Sequence, residues 1–169
     1  TENTPPRGSG AAILSTKDPK TGVTKTVSRD ENGEYSYLES IAGKDKDGND
    51  RILQTDQWGN QTEIVEKPDG STEIVERDIY GGRKTIVERP DGTATTTTRD
   101  AYGNTTETVD YEDGTFRTVK TDRDGKELER SSLNSDGSTT VFYPDGRVID
   151  VSPTKEDGSV EIVKTDQRG

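Results

Sequence analysis

Glycine recurs every eleven residues through most of this 169-residue chain, at 48, 59, 70, 81, 92, 103, 114 and 125. The step from Gly22 to Gly33 is also eleven. Beyond Gly125 the steps loosen to twelve, nine, twelve and eleven, at Gly137, Gly146, Gly158 and Gly169. A fixed period of this kind marks a repeat architecture built from one small supersecondary unit. The full unit is twenty-two residues, because two kinds of turn alternate. One reads Asp-x-aromatic-Gly: Asp56-Gln-Trp58-Gly59, Asp78-Ile-Tyr80-Gly81 and Asp100-Ala-Tyr102-Gly103, followed by Asp122-Arg-Asp-Gly125 without the aromatic. The other reads Pro-Asp-Gly at 68–70 and 90–92, with Glu112-Asp-Gly114 in the same slot.

Between the turns lie segments rich in β-branched residues, such as Ser71–Arg77 and Arg83–Arg89, which suit a pleated strand. Seven such residues span roughly 23 Å. Pro68 and Pro90 fit the first corner of a turn and would be misplaced in a central strand. No stretch carries apolar residues at helical spacing. Residues 22–169 therefore read as all-β, with about a dozen short strands.

Two architectures fit: an antiparallel β-meander, or a β-solenoid with one 22-residue rung per repeat. A solenoid would stack Asp56, Asp78, Asp100 and Asp122 about 4.8 Å apart; a meander separates them by about 10 Å. The spacing therefore favours the meander, with aromatic turns along one edge and Pro-Asp-Gly turns along the other. Adjacent pairs such as Ile64-Val65, Ile74-Val75 and Ile86-Val87 point to opposite faces. Each face then carries only a narrow apolar stripe. Composition agrees: 24% of the chain is hydrophobic and 34% charged, too little apolar material for two layers around one core. The expected fold is an elongated, largely single-layer sheet, laced by cross-strand charge pairs worth a few tenths to ~1 kcal/mol each.

The chain has no Cys and no His. Disulfides, thiol nucleophiles, Cys/His zinc sites and His-based triads are thereby excluded. The net charge of −11 argues against nucleic acid as a partner. No apolar run approaches the length of a membrane span. Thr1–Gly10 lacks the features of a leader, as a processed secreted protein would. An extracellular or cell-surface location is expected.

Residues 1–20 read as a flexible extension and a possible donor arm, and 21–169 as the β-repeat domain. Ala11, Ala12, Ile13 and Leu14 belong to the most apolar stretch of the chain. Val160, Ile162 and Val163 lie in a strand at the C-terminal edge. Open sheet edges invite pairing with another chain. These seven residues are therefore candidates for subunit contacts in a homo-oligomer or filament.

Trp58, Tyr80 and Tyr102 recur at twenty-two residues. They either cover their own hairpins or form a platform for a proline-rich peptide or a glycan. Asp45, Asp47 and Asp50 are weak Ca²⁺ candidates: the loop counted from Asp45 places Asp56, not a bidentate Glu, at position twelve. No other cofactor is expected. The carboxylates recur in every repeat, as on a solvated face, and nothing concentrates catalytic groups. The irregular stretch Asn134–Thr154, with Phe142 and Tyr143, reads as a bulged or capping region. No enzymatic activity is expected.

Over about residues 55–126 the alternation resembles the YD repeats of RHS-type bacterial proteins and teneurins. Asp56…Gly59-Asn60, Asp78…Gly81, Asp100…Gly103-Asn104 and Asp122…Gly125 fill the Asp-x-x-Gly slots, and the two Pro-Asp-Gly turns fill the other. The family's leading Tyr is replaced by Thr55, Arg77, Arg99 and Thr121. That resemblance implies hairpin grammar; the family's closed shells need a longer chain. Phe142-Tyr-Pro-Asp-Gly-Arg-Val148 is similar to recurring turns of the centriolar G-box domain, which implies an open single-layer sheet and a proline-rich peptide ligand. The residues themselves point first to a self-assembling structural repeat, such as a subunit of a bacterial surface filament or stalk. A binding module presenting an aromatic rim is the second reading and an RHS-like shell fragment the third.

Overall fold

The computed structural model describes residues 2–3 and 12–166. Contacts divide the chain into two compact units, residues 1–81 and 82–169. The first holds β1 (Glu2–Asn3), β2 (Ala12–Lys17), β3 (Thr24–Arg29), β4 (Tyr35–Lys44), β5 (Asp50–Asp56), β6 (Gln61–Glu66) and β7 (Thr72–Arg77). The second holds β8 (Arg83–Glu88), β9 (Ala94–Arg99), β10 (Thr105–Asp110), β11 (Phe116–Thr121), β12 (Glu127–Leu133), β13 (Thr139–Phe142), β14 (Val148–Val151) and β15 (Ile162–Thr165). In each unit consecutive strands pair antiparallel in chain order, as for Ile64↔Ile74 and Thr108↔Thr118. The fold is an open β-meander. The solenoid alternative is excluded, since its rungs would pair equivalent strands in parallel across a repeat.

Local chemistry sets the turns. Asp56 N–H donates to Asn60 O (3.0 Å) and Gly59 N–H to Asp56 O (3.1 Å). This is a three-residue hairpin loop, a type I turn closed by a glycine at positive φ. Among the described residues only glycines have positive φ, so the Asp-Gly pairs form this loop and not the two-residue turn with two positive φ angles. A six-residue strand plus a five-residue turn makes eleven, which is the period. Most departures from eleven are changes in strand length; in the twelve-residue step to Gly158 the added length lies instead between β14 and β15. The twelve-residue step to Gly137 adds one residue to β12, and the ladder skips from Lys120↔Glu129 to Thr121↔Glu127, a β-bulge at Leu128. The nine-residue step to Gly146 shortens β13 to four residues.

The largest departure is the fifteen residues from Gly33 to Gly48, which makes β4 ten residues long. It pairs with β3 through Tyr35–Ser40 and with β5 through Leu38–Lys44. The sheet therefore steps sideways at β4. Tyr35–Tyr37 overhang the end of β5, and Ile41–Lys44 overhang the start of β3.

Burial is slight, as expected for a single layer. Among the described residues Val75, at 4% exposure, is the one buried hydrophobic side chain. Register lines up Ala42, Ile52, Ile64 and Ile74 on one face of the first unit. In the second unit the equivalent row runs Ile86, Thr96, Thr108, Thr118, Ser131, Val141 and Ile149. The Thr108 and Thr118 hydroxyls there bond to each other at 2.9 Å. On the opposite face of the first unit the Glu63 carboxylate sits between Arg51 (2.9 Å) and Arg77 (3.4 Å). Stability is spread over many such cross-strand terms.

Candidate functional site: rim, edges and carboxylate turns

Two carboxylate clamps build the turns. In the first, Asp56 Oδ1 accepts the N–H groups of Trp58 and Asn60, and Oδ2 accepts the Asn60 side-chain amide at 2.8 Å. Asp45 and Asp100 repeat this with Asn49 and Asn104. In the second, Asp69 Oδ1 accepts both the N–H and the hydroxyl of Ser71 (2.9 and 2.6 Å). Asp91, Asp113, Asp136 and Asp157 do the same with Thr93, Thr115, Ser138 and Ser159. The donated side-chain hydrogen bonds hold the carboxyls of Asp45, Asp56, Asp69 and Asp100 below their ordinary range.

These turns present the aromatic residues. Trp58 is 65% exposed and Tyr80 80%, both on one rim of the first unit; Tyr102, on the second, is 82% exposed. All three residues are largely exposed. The Trp58 and Tyr80 turns touch: Asn60 Oδ1 accepts Ile79 N–H at 3.2 Å. Beside Trp58 the overhang of β4 opens a depression of about 610 Å³, lined by Ile13, Ser28, Arg29, Tyr35, Gln57 and Trp58 among others. Gln57 Oε1 accepts Tyr37 N–H at 2.6 Å, standing in for the ladder rung that β5 would supply if it continued. Tyr35 and Gln57 were not among the expected site residues. The fifteen-residue glycine step is the sequence signal that locates them.

Of the arm, Ala11 and residues 4–10 lie outside the described residues. Ala12, Ile13 and Leu14 belong to β2 and pair with Arg29, Ser28 and Val27 of β3. The expected boundary at residue 20 thus falls inside the sheet: β2 is a member of the meander. Glu2 and Asn3 pair with Leu14 and Ile13 on its outer side. At the other end β15 pairs with β14 on one side. Ile162 and Val163 are 55% and 51% exposed, and Val160 lies just outside the strand.

The three acidic candidates do not converge. Asp45 is engaged by its own turn, and Asp50 Oδ1 binds Lys44 Nζ at 2.7 Å. Among the described residues no group of three acidic side chains is placed to hold a metal ion. Tyr37 donates its hydroxyl to Glu39 Oε1 at 2.5 Å, and Lys25 Nζ lies 3.3 Å from the same oxygen. The Tyr37 bond and the Lys25 charge lower the Glu39 carboxyl, and that hydrogen bond raises the Tyr37 phenol. This cluster is a cross-strand tie; its raised phenol is a poor nucleophile. The irregular stretch Asn134–Thr154 contains the two short strands β13 and β14, and Arg147 stacks 4.7 Å over the Tyr143 ring.

No protein-family model matches the chain, and no curated protein matches it. Among solved structures it is similar to the crystal structure of the TCP10c domain of Drosophila melanogaster Sas-4, at 14% identity and a TM-score of 0.34, over 89% of this chain and 97% of that one.

Proposed function

We propose that this chain is a non-catalytic structural repeat that associates with copies of itself through its open sheet edges. The observation that supports it is β15. It has no proline or bulge, pairs with β14, and among the described residues meets no strand on its other side, with Ile162 and Val163 both half exposed. An edge of that kind is a template for another strand. Native edges are usually blunted with charge, and only Lys164 interrupts this one. The complementary edge is β2, over which Glu2–Asn3 pair. A next copy displacing that short pairing would continue the sheet. An extracellular or cell-surface location belongs to the same proposal.

The test compares the full chain with I162K/V163K and with a chain lacking residues 1–11, by light scattering and negative-stain microscopy. Filaments or oligomers that shrink to monomer in I162K/V163K support the proposal. Loss in the truncation as well assigns the β2 edge as partner. A full chain that stays monomeric at high concentration, or association indifferent to the β15 charges, overturns it.

The exposure of Trp58 and Tyr35 around the rim depression favours one second reading, a peptide- or glycan-binding module. Trp58→Ala, at a residue 65% exposed, is expected to change stability by less than about 0.5 kcal/mol. On this reading it removes binding of proline-rich peptides or oligosaccharides measured by isothermal titration calorimetry. Equal affinity in the variant would eliminate it.

A further inference from the structure

The structure assigns a second, separate feature to the lengthened strand β4: we propose that its overhang Ile41–Lys44 is a docking notch for an extended peptide, which adds main chain to β4 and seats an aliphatic side chain over Gly43. The inference is independent of the self-association reading.

Three observations carry it. The first is the ladder. In an antiparallel pair, successive residues direct their N–H and C=O to opposite neighbours. Asp45 N–H bonds to Asn49 O in the β4–β5 turn. Counting back from there, Gly43, Ile41 and Glu39 face β5, while Lys44, Ala42 and Ser40 face β3. But β3 begins at Thr24, opposite Ser40, and pairing ends there. The β2–β3 turn closes on itself, with Asp18 N–H to Val23 O and Gly22 N–H to Asp18 O. Among the described residues, the N–H and C=O groups of Ala42 and Lys44 are thus two consecutive open rungs. Two open rungs at strand spacing recognise an extended main chain.

The second observation is Gly43. A glycine in a strand interior weakens it and often marks close approach of another backbone. Gly43 has no positive φ, and an added Cβ would meet nothing within 4 Å. Neither conformation nor crowding requires glycine here. The third is shape. The missing side chain leaves a bay of about 250 Å³ lined by Ile41, Gly43, Arg51 and Leu53. Register puts Ile41, Leu53, Gly43 and Arg51 on one face. A strand continuing the line of β3 would point one side chain onto Gly43 there, against Ile41 and Leu53. Apolar neighbours and a shallow bay select a β-branched aliphatic residue. The Arg51 charge is already held by Glu63, so the notch does not select an acidic side chain.

The test uses the full chain and a fluorescein-labelled Thr-Val-Thr-Val-Thr-Val peptide, with a second peptide N-methylated on alternate amides. Hydrogen exchange on the free protein comes first. Ala42 and Lys44 amides are expected to exchange much faster than those of Ile41 and Gly43; equal protection overturns the open-rung premise. Anisotropy titration should then show saturable binding of the plain peptide and about tenfold or greater loss with the N-methylated one. Amide shifts in two-dimensional NMR should centre on residues 41–44. Gly43→Val should fill the bay and weaken binding by a similar factor. Valine suits a strand, so an unchanged or raised thermal midpoint separates lost binding from lost folding. Shifts centred on β15, unaltered binding by Gly43→Val, or no binding of the plain peptide would overturn the proposal.

Discussion

Gly103→Ala is expected to destabilise the 82–169 unit by about 2–3 kcal/mol, well beyond Gly114→Ala in the same unit. Both glycines sit at positive φ, +91° and +82°, where an L-residue costs roughly 1–2 kcal/mol. They differ in what a methyl group meets. At Gly114 nothing lies within 4 Å, whereas at Gly103 the new Cβ falls 3.1 Å from Arg123 Cβ and 3.7 Å from its Cα. Arg123 belongs to the next turn on the same rim, two strands away. Backbone position, not a flexible tip, sets that contact, so the turns must move apart. Urea denaturation followed by circular dichroism should show a clear fall in midpoint for Gly103→Ala and a smaller one for Gly114→Ala. Equal falls would show that the two turns do not touch and that conformational strain is the whole effect.

Acid is expected to unfold the protein sharply below about pH 4, with little loss between pH 7 and 5. Asp18, Asp45, Asp56, Asp69, Asp91, Asp100, Asp113, Asp136, Asp145 and Asp157 all have carboxyls lowered by hydrogen bonds. A carboxyl lowered in the folded state binds its proton more readily when unfolded. Its stabilisation is therefore complete above the unfolded value and disappears as pH falls through the folded value. Protonation also relieves the repulsion of a chain carrying a net charge of −11, which acts in the opposite direction. Because these ten turns each depend on such a clamp, the turns should dominate. The urea midpoint measured from pH 7 to pH 2 should hold and then collapse. A midpoint that climbs steadily through pH 4 would mean that self-repulsion outweighs the clamps. Asp100→Asn should flatten part of the acid limb, since its amide keeps some acceptor capacity but has no proton to take up.

Much of this architecture is legible in the chain. The interval between glycines is a strand length plus a five-residue turn. Eleven therefore means six residues paired on both sides, the twelve that ends at Gly137 means a bulge at Leu128, and nine means the short β13. Pro68 and Pro90 mark first corners because proline presets φ there. The adjacent Ile-Val pairs announce two apolar stripes and no core, and the structure buries one hydrophobic side chain, Val75, among the described residues. The choice of meander over solenoid also follows from the sequence, through the repulsion of stacked aspartates.

The two places of interest in the first unit came from pairing between strands, not from residue type. Nothing in Ile41-Ala-Gly-Lys44 looks like a site. It becomes one because a ten-residue strand lies between shorter partners displaced in opposite directions, which strips two rungs of their neighbour. Gln57 reads as an ordinary turn residue until the end of β5 leaves Tyr37 N–H in need of an acceptor. The candidate edge residues likewise take their place from pairing: Ala12, Ile13 and Leu14 pair with β3, and Ile13 and Leu14 also with Glu2–Asn3, while Ile162 and Val163 pair with β14. Sequence period determined how long each strand is and where it turns, because those are local matters of φ and hydrogen bonding. Which backbone groups are left without a partner depends on the lengths of neighbouring strands together, and only the assembled sheet decides that.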